Sequence, residues 1–115
     1  MRENVLRDKS FAFAVRIVNM YKYLSEDKRE FVLSKQLLRS GTSVGAMAHE
    51  SEYSESKADF IHKLAIAQKE LNETLYWLKL LLQTEYQTEY DSISVDAIEI
   101  IKILTTSIKT AKNVK

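Results

Sequence analysis

The chain has 115 residues, two glycines, no proline, no cysteine and a formal net charge of +1. That length buries one core but not two, and the lack of cysteine excludes disulfides, thiolate metal sites and cysteine nucleophiles. A hydrophobic share of 45% with 29% charged residues is a globular composition, and scarce glycine and proline beside abundant helix formers point to an all-α fold.

The N-terminal MRENVLRDKS is charged and no apolar run reaches the length a bilayer needs. Neither a signal peptide nor a spanning helix is expected, and the protein reads as cytoplasmic with no membrane partner. Asp8 or Ser10 can open a first helix over 8–24. In it Phe11, Ala14, Val18 and Tyr21 form one apolar stripe, and Phe13, Ile17, Met20 and Leu24 form a second beside it. A second helix over 28–51 is expected to use Ser25 or Asp27 as N-cap, with Glu30 three residues beyond Asp27. Ser54 or Ser56 opens a third helix over 56–84 whose heptad runs Phe60, Leu64, Ala67, Leu71, Thr74, Leu78, Leu81. After the polar QTEYQTEYDS, Ser92 or Ser94 caps a fourth helix over 94–112, with Ile98, Ile101, Leu104, Ile108 and Ala111 facing inward.

Short connections between four such helices favour an antiparallel up-down-up-down four-helix bundle, one domain spanning 1–115. LYWLKLLL, Leu75 to Leu82, is apolar around nearly its whole circumference, and the first helix carries two stripes where a monomer needs one. A homo-oligomer is the expectation.

LLRSGTSVGAMAHES, Leu37 to Ser51, holds both glycines and invites a phosphate-loop reading. A Walker loop needs Gly-Lys-Ser/Thr at its end, and a dinucleotide fingerprint needs a preceding strand; neither is present. Gly41, Gly45 and Ala48 instead fall at helical spacings of four and three, so small residues on one face would let two backbones approach closely. No side chain larger than a methyl is expected to fit at either glycine, whereas alanine is expected to be tolerated.

His49 and His62 lie near Glu50, Glu52, Glu55 and Asp59. A di-iron bundle needs two Glu-x-x-His motifs, and the chain offers only Asp59-x-x-His62, so no metal or other cofactor is expected. No nucleophile-base-acid set has a recognisable context, and Glu70 and Glu73 sit one turn apart as in any solvated helix. An enzyme is not expected.

Charge is unevenly spread. Residues 1–39 carry +4, residues 40–99 carry −7, and residues 100–115 carry +4 from lysines with no acid. Such a distribution can steer an anionic partner or complement itself on assembly.

FVLSKQLLRSGTSVGAMAHES followed by SKADFIHKLAIAQKELNETLYWLKLL resembles a bacterial family of four-helix bundle proteins. That family includes the small proteins encoded in intervening sequences of large-subunit ribosomal RNA genes, and it is similar to the accessory variability determinant of diversity-generating retroelements. The likeness rests on Gln36-Leu37-x-Arg39-Ser40 with Ser43, on Asp59-Phe60 with Leu64, Ala67 and Glu70, and on Glu73-Thr74-x-x-Trp77-Leu78. It implies an antiparallel bundle assembled as a homopentamer, and, from the retroelement protein, a basic surface that engages a reverse transcriptase and nucleic acid. The chain departs from the family at Met47-Ala48-His49-Glu50-Ser51, where relatives carry Asn-Ile-Ala-Glu-Gly or Asn-Ile-Ala-Glu-Ser; Met47 has no amide to hydrogen-bond.

The expected function is therefore a non-enzymatic, homo-oligomeric adaptor for RNA or DNA, accessory to a reverse transcriptase, with a protein-only scaffold as the alternative. Candidate contacts are Arg2, Arg7, Arg16, Lys28, Arg29, Lys35 and Arg39 near the first two helices and Lys102, Lys109, Lys112 and Lys115 on the last.

Overall fold

A computed structural model describes residues 3–84, 86 and 90–113, with side chains from residue 5 onward. Among the described residues there are four long helices and no strand: α1 (Glu3–Lys22), α2 (Leu33–Ser51), α3 (Lys57–Gln83) and α4 (Tyr90–Asn113). Each packs against its neighbours in sequence and α4 returns against α1, giving a bundle of 50 × 22 × 21 Å. Antiparallel pairing is visible in the contacts: Ser10 and Ile17 of α1 face Gly45 and Gly41 of α2, and Lys9 and Arg16 of α1 meet Glu99 and Asp96 of α4.

Three of the expected helix starts move, those of α1, α2 and α4. Ser10 lies inside α1, fully buried, its hydroxyl donating to the Arg7 carbonyl at 3.1 Å. The helix runs past Lys22 into a π-helical turn, Tyr23–Asp27, closed by Lys28 N–H donating to the Tyr23 carbonyl at 3.2 Å. Asp27 is thus part of the preceding turn rather than the cap of α2. Arg29 reverses the chain at φ +58°, the left-handed region. Glu30 then caps α2 itself, its carboxylate accepting from the backbone N–H of Val32, Leu33 and Ser34 at 3.2, 2.9 and 2.7 Å. Those donors are orphans of the first helical turn, so a carboxylate satisfies them and also meets the positive end of the helix dipole.

Ser56 caps α3, accepting from Asp59 N–H at 3.0 Å. Its heptad turns inward as spaced from Leu64 on: Leu64, Ala67, Leu71, Thr74, Leu78 and Leu81 are all fully buried, while Phe60 at its start is partly buried against the core. Thr74 Oγ1 lies 2.7 Å from the Glu70 carbonyl and 2.9 Å from Ser40 Oγ, so these buried hydroxyls are satisfied.

In α1 only one of the two stripes enters the core. Phe13, Ile17, Met20 and Leu24 are buried, whereas Phe11 is 70% exposed. The inward face of α4 is also rotated from the expected one. Ile93, Ala97, Ile100 and Leu104 are buried, while Ile98 is 48% exposed. Ser92 and Ser94 lie within the helix, which begins at Tyr90.

Candidate nucleic-acid interface

The expected basic patch does not assemble as one surface. Arg2 and Lys115 lie outside the described residues. Arg7 pairs with Asp8 at 3.4 Å and with Glu52, the C-cap residue of α2, at 3.7 Å. Arg16 bridges to α4, meeting Asp96 at 2.7 Å and Ser92 at 2.9 Å. Arg39 bonds both Glu70, at 3.1 Å, and Glu73 of α3. These three arginines join helices and neutralise carboxylates, so sequence alone overstated their availability. Lys28 and Arg29 lie over the rings of Tyr23 and Phe31, at 5.9 and 5.4 Å. They share with the exposed Lys35 the end of the bundle opposite to Lys109 and Lys112.

The carboxylates are held on the α2 side of α3. Glu73 is kept below the usual carboxylate range by the Trp77 Nε1–H donated to it and by the Arg39 guanidinium; the guanidinium is in turn held firmly protonated, mainly by its bond to Glu73. Asp59 is lowered similarly by its bonds from Lys63 Nζ and the Glu55 N–H.

The opposite flank of α3 has another character. His62, Lys69 and Tyr76 recur every seven residues, the period of the buried Leu64, Leu71 and Leu78, and therefore form one outward column. Ala58, Ala65, Asn72 and Lys79 form the neighbouring column toward α4. Gln68 Nε2 donating to Thr105 Oγ1 at 3.0 Å fixes which flank of each helix faces the other. On α4, Ile98, Thr105 and Lys112 make the column toward α3, and Val95, Lys102 and Lys109 the outer one.

Lys69, Lys79, Lys102, Lys109 and Lys112 are thus gathered on one face with His62, and Asp91 at the far end is the acid these columns contain. All five lysines are exposed, and none forms an ion pair among the described residues. Sequence reasoning missed Lys69, Lys79 and Tyr76 and weighed His62 only as a metal ligand. Their signal was the seven-residue spacing beside the core heptad, masked by a net charge summed over residues 40–99.

The glycine stretch is helical in α2, with neither glycine at positive φ. A β-carbon on Gly41 would lie 2.7 Å from Ile17 Cγ1 and 2.8 Å from Cγ2, and one on Gly45 would lie 3.2 Å from the Ser10 carbonyl oxygen. The expected tolerance of alanine is therefore corrected at Gly41: Ile17 is fully buried and branched at the atoms in question, so it cannot swing aside. Ala48 is buried at 2%. The His49 ring lies tilted at 59° against that of Tyr53, 5.5 Å between centroids, and no group of three or more His, Cys, Asp or Glu able to hold a metal occurs among the described residues. Among these residues no helix is long and apolar enough to cross a membrane.

The model of the 23S rRNA-intervening sequence protein family matches residues 2–106. The chain belongs to that family. A crystal structure of a protein of unknown function from the S23 ribosomal protein family of Bacteroides thetaiotaomicron is similar to it, with 58% identity over 95% of this chain and 99% of that one and a TM-score of 0.93. No curated protein matches the chain. Intervening sequence protein membership and this neighbour fix the all-helical architecture, and neither points to a catalytic family.

Proposed function

We propose that this intervening sequence protein is a non-enzymatic, self-associating adaptor that holds nucleic acid on the face shared by α3 and α4. The observation that carries the reading is the gathering of Lys69, Lys79, Lys102, Lys109 and Lys112 with no ion pair among the described residues, while Glu70 and Glu73 of α3 bond Arg39 of α2. Lysines exposed along a rod some 50 Å long suit a polyanion, whose condensed counterions are released on binding.

The family description refers to 23S rRNA, which makes RNA the first probe. Binding should be measurable at low salt and should weaken linearly in log–log form as salt rises. Absence of binding to RNA and DNA at low salt overturns the proposal and favours the protein-only scaffold. A reverse transcriptase, the partner implied by likeness to the retroelement accessory protein, would meet the adaptor through the same bound strand; its recovery from lysate should then be nuclease-sensitive.

Self-association is supported by the outer face of α1, where Phe11 is 70% and Val15 45% exposed. Phe11 and Ala14 border a groove of about 640 Å³ with Thr42, Gly45, Ala46 and His49. An apolar helix face of this kind is costly to leave in water, and the homopentamer implied by family resemblance would cover it.

A further inference from the structure

The geometry points to Tyr76 as a base-stacking platform, so that the α3/α4 face takes single-stranded nucleic acid in preference to a duplex. This rests on the adaptor reading and names its ligand class. Tyr76 is 59% exposed, although it lies in the apolar Leu75–Leu82 segment. Lys69 shares its column and Lys79 lies three residues on, so the ring is flanked along the helix by two cations about 10 and 5 Å away along the axis.

The ring is also held in place. It contacts Trp77 at 5.2 Å between centroids with planes at 69°. Trp77 Nε1 donates to Glu73 at 3.0 Å, and Glu73 is bonded by Arg39, which reaches Glu70 as well. An edge-to-face contact occupies at most one face of the tyrosine ring, leaving the other for a base. A ring fixed beforehand loses little entropy when a base stacks on it, and lysines on either side can follow the phosphates of the same strand. A duplex keeps its bases stacked on each other and gains nothing from the ring.

Fluorescence anisotropy with oligouridylate, oligothymidylate and a duplex of equal phosphate number tests this. Single strands should bind more tightly than the duplex, and comparison of the uridine and thymidine probes separates RNA from DNA. Tyr76→Ala should weaken single-strand binding about 5- to 100-fold with little change in salt slope, while Tyr76→Phe stays within about twofold of the parent. Trp77 emission reports occupation directly, and unchanged thermal melts show that the variants fold. Duplex binding as tight as single-strand binding, or Tyr76→Ala binding like the parent, overturns the stacking platform and leaves the lysine face standing; no binding to any probe removes the adaptor reading itself.

Discussion

Gly41 lies against Ile17 so closely that a β-carbon on the glycine would meet Cγ1 of the isoleucine at 2.7 Å. Gly41→Ala should therefore lower stability by about 1–3 kcal/mol despite the helix propensity alanine adds. Gly45→Ala should cost less, because its β-carbon would be 3.2 Å from the Ser10 carbonyl oxygen. Pairing Gly41→Ala with Ile17→Ala should cost less than the two single changes summed, since each relieves the other. Thermal melts of the set test this, and a Gly41→Ala protein melting at or above the parent contradicts the close approach of α1 and α2.

Glu30 accepts three backbone N–H groups at the start of α2. Glu30→Ala should cost about 0.5–2 kcal/mol, the range for a lost N-cap, whereas Asp27→Ala should be near neutral. Denaturant melts giving the reverse order would restore Asp27 as the cap.

Glu73 titrates below the usual carboxylate range because Trp77 and Arg39 favour its charged form. A depressed folded-state value contributes stability that is present at neutral pH and lost as pH falls through that value. Glu73→Gln should therefore destabilise at pH 7, and the gap to the parent should close on acidification below about pH 4. Urea melts at neutral and acid pH check it; a gap independent of pH would assign the loss to packing.

If α1 forms the proposed self-contact, Phe11→Glu should abolish it without unfolding the bundle, because the ring is 70% exposed and outside the core. Sedimentation equilibrium should give the monomer mass with helical content unchanged. Parent and variant of the same mass would show that α1 does not form the contact.

Much of the fold was legible because heptad spacing has one solution in α3: only Leu64, Ala67, Leu71, Thr74, Leu78 and Leu81 keep a single face. In α4, Ile98, Ile100, Ile101 and Ile103 supply an apolar side chain in almost every direction, so periodicity does not choose the face, and packing against α1 and α3 selects Ile100. Helical spacing at Gly41 could be read from the chain, but the branched neighbour that fills its space is twenty-four residues away. The basic face was hidden for a related reason. Charge summed along the chain mixes Lys79 with Glu70 and Glu73, which α3 turns toward different flanks, and it counts Arg7, Arg16 and Arg39 as available when each is spent on a carboxylate.

The most direct test of the central claim is the salt dependence of RNA binding in two sets of variants. Lys69→Gln, Lys79→Gln, Lys102→Gln and Lys109→Gln combined should weaken binding at low salt and flatten the log–log salt slope by about 0.7 for each single-strand phosphate no longer neutralised. Lys28→Gln with Lys35→Gln, on the α1–α2 side of the bundle, should leave both affinity and slope near those of the parent. If the second pair removes binding and the first set leaves the slope unchanged, nucleic acid is not held on the α3/α4 face.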